Sequence, residues 1–396
     1  MKILVLAWEF PPRIVGGLAR HVAELYPEIV KLGHEIHLIT VEFGTSPAYE
    51  IIEGIHVYRV PVPSGSDFFH WVVNMNQSMD QQAQRLIAQN GRFDLIHAHD
   101  WLVGDAAISL KHHFKIPLIA TIHATEYGRY NGLYNDTHRY IASKEAALIE
   151  NSWRVIVCSN YMRHELQRAF GTSWEKMSVI YNGIRSEKKK QDPDFDYLQF
   201  RRRYANDQQK IVYYVGRMTY EKGVSVLLTA APRVLHDMNQ AAKFIIIGGG
   251  NTDRLKQLAW NLGIWDQCFF TGFMSDDDLD KFQTIADCAV FPSLYEPFGI
   301  VALESFAAKV PVVVSNTGGL AEVVQHGKTG IVTYTNNPDS LAWGILEVLK
   351  NPEYAQTLVS NAYQDLDLRF RWQMLAEETE EVYDKVLTER SQVQWD

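Results

Sequence analysis

A chain of 396 residues, 46% hydrophobic and 21% charged, holds enough apolar material for two or three cores at roughly 150 residues per domain. Its 38 Lys and Arg against 47 Asp and Glu leave a net charge of −9, which argues against nucleic acid as the main partner. The three cysteines, Cys158, Cys268 and Cys288, stand far apart in apolar runs and read as reduced core thiols, which fits a cytoplasmic protein.

Residues 3–7 open the chain as a buried strand. Glu9 and Pro11-Pro12 end the run too soon for a signal peptide, and no window approaches the roughly 18 apolar residues of a membrane span. Val22, Leu25, Ile29 and Leu32 predict a helix over 21–32, kinked at Pro27. Short apolar runs at 36–40, 95–97, 118–122, 155–158 and 179–181 continue as strands with amphipathic segments between several of them. Such alternation implies right-handed βαβ units and a parallel sheet covered on both faces. The pattern breaks after 186, where Lys188-Lys189-Lys190, Asp192-Pro193-Asp194 and Arg201-Arg202-Arg203 predict a linker over 186–208. Contact with an anionic membrane surface is a second use open to those cations. Alternation then restarts, with strands at 211–215, 244–247, 269–270, 289–291, 310–314 and 331–334 and a helix over 224–235. The fold class is therefore α/β, with two doubly wound domains at 1–185 and 209–365. A last helix over 366–387 puts Phe370, Met374 or Leu375, Val382 and Val386 on one face.

In open α/β sheets ligands sit beyond the carboxyl ends of the strands, so the polar residues found there are the candidates. Gly16-Gly17 follows the first strand and opens a helix, where an anion can approach the backbone; a plain helix-start turn explains it equally well. Arg217 and Lys222 flank the first strand of the second domain and suit a diphosphate, although solvated surface cations are the blander reading. Glu296 lies in a loop and Glu304 on the helix after it, with the amides of Phe298, Gly299 and Ile300 at the helix start. A carboxylate that accepts two adjacent hydroxyls is a common grip on ribose. His123 closes a strand, a place where a histidine is usually just a satisfied polar group. His97, His99 and Asp100 form H-x-H-D, half of a metal-dependent hydrolase site, with no further ligand set in view. Asp276-Asp277-Asp278 and the Asp365, Asp367 pair read as helix caps and solvated faces. Gly248-Gly249-Gly250 reads as a tight turn.

Seven segments together are more specific than any one of them. They are EFPPRIVGGLARHVAEL near the start, DLIHAHDW at 94–101, TIHATE at 121–126, VIYNGI at 179–184, GRMTYEKG at 216–223, PSLYEPFGIVALES at 292–305 and SNTGGLAEVV at 315–324. In this order the chain resembles the retaining glycosyltransferases of family 4 and their glycogen- and starch-synthase relatives. The resemblance implies a GT-B fold: two Rossmann-like domains facing across a cleft, with the last helix, about 366–396, returning to the first. It implies that Arg217 and Lys222 neutralise the donor diphosphate and that the Gly17 backbone abuts it. Glu304 would bind the ribose, Glu296 the donor-sugar hydroxyls, and the backbone near Phe298, Gly299 and Ile300 the sugar and phosphate. His123 would contact the sugar near its 6-hydroxyl, and Asp100 would lie on the acceptor side. Arg217, Lys222, Glu296 and His123 would then carry the chemistry. No metal cofactor is expected, because the two cations take that role.

One departure bears on the donor. ADP-glucose synthases carry K-x-G-G-L, and here Ile14 stands at the lysine position with Arg13 one place away. With the modest length, this favours a UDP-sugar enzyme, UDP-glucose first, working in envelope, exopolysaccharide or glucan synthesis. An ADP-glucose-dependent glycogen synthase is the alternative, and a UDP-sugar epimerase of similar fold the second. A nucleotide-sugar-binding scaffold and the metal-dependent hydrolase complete the rivals. The expected acceptor is a saccharide or a lipid-linked saccharide, met by variable loops at 44–47, 63–71 and 127–136.

Overall fold

In the computed structural model, which describes residues 1–185 and 194–395, the chain divides into two units, Met1–Gly183 with Trp372–Asp396, and Ile184–Arg371. The Lys188-Lys189-Lys190 triplet of the expected linker lies outside the described residues, as do Asp192 and Pro193.

The first unit runs β1 (Lys2–Leu6), α1 (Gly17–Lys31), β2 (Glu35–Val41), β3 (Tyr49–Ile52), β4 (Ile55–Val60), α2 (Phe68–Asn90), β5 (Leu95–His99), α3 (Gly104–Phe114), β6 (Leu118–Ile122), α4 (Glu126–Tyr130), α5 (Asp136–Asn151), β7 (Arg154–Val157), α6 (Asn160–Phe170) and β8 (Met177–Val179). Its sheet has the order β3-β4-β2-β1-β5-β6-β7-β8, and β3 alone pairs antiparallel. The central strand β1 is apolar on both faces, as a strand covered by helices on both sides must be; its residues 3–6 are fully buried. The β3–β4 hairpin escapes the sequence pattern because β3 is a half-exposed edge. Its turn needs left-handed backbone at Glu53 and Gly54, with φ of 48° and 86°. Strand β8 lies two residues before the expected 179–181; only Ile180 extends its pairing, by donating to Val157 O. Helix α1 continues through Pro27.

The second unit holds α7 (Tyr197–Arg201), β9 (Lys210–Val215), α8 (Val224–Asp237), β10 (Ala242–Ile247), α9 (Asp253–Asn261), β11 (Cys268–Gly272), α10 (Asp276–Gln283), β12 (Cys288–Phe291), α11 (Ile300–Ala307), β13 (Val312–Ser315), α12 (Leu320–Val323), β14 (Ile331–Thr333), α13 (Pro338–Lys350) and α14 (Pro352–Arg369). Its strands pair in parallel in the order β11-β10-β9-β12-β13-β14. Helix α7 lies inside the expected linker. Arg201, counted there as a linker cation, is bound instead by the carbonyls of Ile285 and Gln209 and by the Asp287 carboxylate at 3.0 Å. Arg202 pairs with Asp207 through two bonds of 2.9 and 2.7 Å. Two of the three arginines are thus neutralised locally.

The single helix expected over 366–387 is two. Residues 366–369 finish α14 in the second unit, and α15 (Trp372–Ser391) begins after Phe370-Arg371 and packs on α1 of the first unit. Trp372, Leu375, Ala376, Tyr383 and Val386 join Val22, Tyr26 and Ile29 in one core. Polar anchors fix the register: Trp372 Nε1 donates to Glu24 at 2.7 Å, and Trp153 Nε1 donates to Glu389 at 2.9 Å. Among the described residues no helix is long and apolar enough to cross a membrane.

Candidate functional site

Strand order reverses between β1 and β5 in the first unit and between β9 and β12 in the second, and such switch points are where doubly wound sheets bind ligands. The candidate residues fall on the loops that leave these four strands or their neighbours, or on the helices that follow, as Gly17 does in α1 and Ile300 and Glu304 do in α11.

In the second unit, β9 ends at Val215, and Gly216 and Arg217 follow it. The Arg217 side chain is half exposed and reaches Glu221 only at 3.4 Å. Lys222 is different: its ammonium lies 2.7 Å from Glu296 Oε2, and both side chains are largely buried. Ser293 Oγ donates to the same oxygen at 3.3 Å. The chain can bring these together only because Gly223, at φ 65°, has no side chain; a Cβ there would stand 2.0 Å from Pro292 O. The Glu221 carbonyl accepts from the amides of Leu294 and Tyr295, tying the two loops. Gly299, at φ 105°, precedes α11, and the helix places the buried Glu304 one turn further on. The first amides of α11, at Ile300 and Val301, face outward from a helix start, a favourable place for an anion. Gly318 and Gly319 let the next loop press on the Glu296 backbone, where Gly319 N–H donates to Glu296 O at 2.9 Å.

In the first unit, α1 begins at Gly17, but the two amides before it are already taken. Val15 and Gly16 donate to the buried Glu9 carboxylate at 2.6 and 3.0 Å. Burial nonetheless raises the Glu9 pKa, against the pull of those two bonds. His123 is not the isolated strand-end histidine of the sequence. Its backbone N–H donates to Asp100 at 2.7 Å, its Nε2 lies 3.1 Å from His99 Nδ1, and its ring stands edge-on to His21 at 4.7 Å. Burial pushes His123 and His21 down to about 3 and His99 well below its usual range, so all three rings are neutral. Burial also pushes Asp100 up to about 6, opposed by the amides of His123 and Ala124. Asp100 therefore anchors the His123 loop within the first unit.

The H-x-H-D metal reading fails as written. His97 is committed on both ring nitrogens, to Thr121 at 2.7 Å on one side and to the hydroxyls of Tyr26 and Tyr383 at 2.9 and 2.8 Å on the other. The histidines that do converge are His21, His99 and His123.

Comparison with known proteins decides the family. The model described as "Glycosyltransferase Family 4" matches residues 15–188, and "Glycosyl transferases group 1" matches 198–365. An uncharacterized glycosyltransferase of Methanocaldococcus jannaschii is 40% identical over 392 residues, covering 97% of this chain and 98% of the relative. The chain belongs to glycosyltransferase family 4. Another relative of this transferase, the glycogen synthase of Mycobacterium tuberculosis, is 34% identical over 399 residues, covering 97% of the chain and 94% of the relative. The solved structure of sucrose-phosphate synthase from Thermosynechococcus elongatus superposes with a TM-score of 0.84 at 22% identity, covering 98% and 99% of the two chains, which shows the fold alone. The two Rossmann-like units are those of a GT-B transferase. Modest length does not set the family 4 chain apart from glycogen synthases, because the mycobacterial one is matched over nearly its whole length.

Sequence reasoning missed several groups that build this transferase's first unit. His21, Tyr26 and Tyr383 are polar residues on helices read for their apolar faces, and Asn182 lies in the segment after β8. The spacing of His97 and His99, two apart on a strand, was the available signal that both rings enter one layer.

Proposed function

We propose that the chain is a retaining glucosyltransferase that uses UDP-glucose and extends a saccharide acceptor. The buried Lys222–Glu296 pair beside the start of α11 is the observation that carries this reading. A sugar–diphosphate bond breaks with positive charge on the anomeric carbon and negative charge on the leaving phosphate. Lys222 and Arg217 answer the growing negative charge; Glu296 accepts from sugar hydroxyls and stabilises the anomeric cation. Glu304 takes the ribose, while the backbone of Phe298, Gly299 and Ile300 holds sugar and phosphate. Gly17 toward the diphosphate and His123 toward the 6-hydroxyl complete the proposed set. The acceptor attacks the same face that the diphosphate leaves, and a phosphate oxygen takes its proton, so no covalent glycosyl-enzyme forms and no metal is needed for the transfer. Fixed donors aimed at developing charge are commonly the largest catalytic term.

The glycogen-synthase relative supports a glucosyl donor and an α-glucan end as acceptor. It also gives weight to ADP-glucose, against Ile14 at the lysine position. Calorimetric titration with UDP, ADP and GDP, followed by transfer assays with the matching glucose donors, tests the donor. Tightest binding of ADP, with transfer from ADP-glucose alone, would replace UDP-glucose in this reading. The anomeric coupling constant of the product tests retention, since a β linkage would sink it. Incubation with a UDP-sugar and no acceptor distinguishes the epimerase, which would accumulate an epimer.

A further inference from the structure

We propose that His21, His99 and His123 form a binding site for one divalent transition-metal ion, zinc or a metal of similar imidazole preference. The three come from α1, the end of β5 and the residue after β6, and they offer one nitrogen each within 4.8 Å of one another. Three imidazoles with a fourth position left open suit zinc, copper or nickel rather than magnesium or calcium.

The hydrogen bonds fix which nitrogens are available. His21 Nδ1 lies 2.7 Å from Asn182 Oδ1, which only accepts, so Nδ1 carries the proton and Nε2 keeps its lone pair. That Nε2 is buried and has no hydrogen-bond partner among the described residues. Buried polar atoms are rarely left so, and an unpaired one needs an explanation. His99 Nε2 lies 2.7 Å from the Tyr26 hydroxyl, leaving Nδ1 to face His123 Nε2 at 3.1 Å. A single hydrogen occupies that gap. Its ring can carry it on the outer nitrogen instead, which frees both lone pairs with no net proton release, because each neutral imidazole holds one N–H. Zinc–nitrogen bonds of about 2.0–2.1 Å in tetrahedral geometry set ligand nitrogens roughly 3.4 Å apart, close to the His99–His123 spacing. Asn182 and Tyr26 then hold the outer nitrogens of His21 and His99, the orienting role outer-shell groups play at metal sites. Burial keeps the rings neutral, so protons do not compete for the lone pairs. The Asp100 carboxyl accepts from the His123 backbone N–H at 2.7 Å and so fixes the loop that carries the third ligand.

Occupation has a consequence that rests on the donor role given to His123 under Proposed function. A metal-bound His123 cannot contact the sugar, so the ion inhibits transfer instead of assisting it.

The test uses the full chain, stripped with a chelator and titrated with cobalt(II), with zinc as competitor. One equivalent of cobalt with an intense tetrahedral visible spectrum, displaced by one equivalent of zinc, is expected. His21→Gln should weaken binding at least tenfold with an unchanged circular dichroism spectrum. Where that variant does not fold, ring-nitrogen NMR of the wild-type chain decides: zinc should shift His21, His99 and His123 and leave His97 unmoved. Failure to bind cobalt, equal binding by folded His21→Gln, or shifts at other histidines would overturn the site. Zinc should also slow transfer reversibly. Stoichiometric zinc with an undiminished rate would instead overturn the donor role of His123 and leave the metal site standing.

Discussion

The two units place polar groups at the same kind of position, beyond the carboxyl ends of parallel strands, under opposite electrostatic regimes. The first unit buries them neutral: His97 and His99 are fully inaccessible, and Asp100 is held toward its protonated form. The second sets acidic and basic side chains against each other, with Arg217 half exposed beside Glu221 and Lys222 set against Glu296. In the first unit desolvation outweighs the amides and the nearby Arg129 that favour the Asp100 carboxylate, whereas in the second Lys222 and Glu296 stand in direct contact at 2.7 Å. One layer is thus held by hydrogen bonds and the other by ion pairs.

That contrast fails if charge in the second unit is dispensable. Arg217→Ala and Lys222→Ala are each expected to lower kcat at least a hundred-fold, about 3 kcal/mol of transition-state stabilisation. Their stabilities should differ. The exposed Arg217–Glu221 contact at 3.4 Å contributes little, so Arg217→Ala should melt like the wild type. Lys222→Ala strands the buried Glu296 carboxylate and should melt lower. Near-normal turnover in both would break the comparison. Gly223→Ala comes next. It forces a side chain into left-handed backbone 2.0 Å from Pro292 O and should cost at least about 2 kcal/mol in a denaturant titration.

The second unit was the more readable in sequence, for the same physical reason. Arg217, Lys222 and Glu296 are charged residues that follow apolar strand patterns, Glu304 stands on the helix after one of them, and glycines beside them mark where backbones must approach. The first unit's network was hidden because its members look like core. Tyr26 and Tyr383 occupy apolar helix positions, and only packing of α15 on α1 brings the Tyr383 hydroxyl to His97, 286 residues away in the chain. The antiparallel β3 was hidden by exposure, and the break at Phe370-Arg371 because the apolar face continues across it.

A smaller effect sharpens the first unit's half of the comparison. Burial pushes Glu145 up to about 8, opposed by the Glu126 amide and Arg129 and reinforced by Asp100 and Glu126. A carboxyl whose folded value lies above its unfolded 4.5 stabilises fully below the unfolded value, and that contribution is lost as pH rises through the folded one. Glu145→Gln keeps an oxygen to accept from the Glu126 amide, which Glu145 now does at 2.8 Å. Thermal melts should show the wild type losing stability between pH 5 and pH 8 and the variant losing less. Parallel pH profiles would mean that Glu145 ionises without penalty in the fold.

The smallest expected effect asks whether the neutral layer acts as a unit. His97 Nδ1 has two hydroxyl neighbours, Tyr383 at 2.8 Å and Tyr26 at 2.9 Å, and Tyr26 also reaches His99. Tyr383→Phe removes one hydroxyl and leaves His97 a partner, so the cost should sit near the usual net value of one hydrogen bond, about 1 kcal/mol. If the bonds only pack the layer, kcat should stay within about twofold, because Tyr383 is two rings removed from His123 through Tyr26 and His99. If they instead set the proton order along His97, Tyr26, His99 and His123 cooperatively, the effect should exceed that single bond and reach the donor sugar. Measured kcat and KM for Tyr383→Phe, beside its melting temperature, separate the two: a tenfold fall in kcat with a small loss of stability would make the returning helix part of how the first unit orients His123.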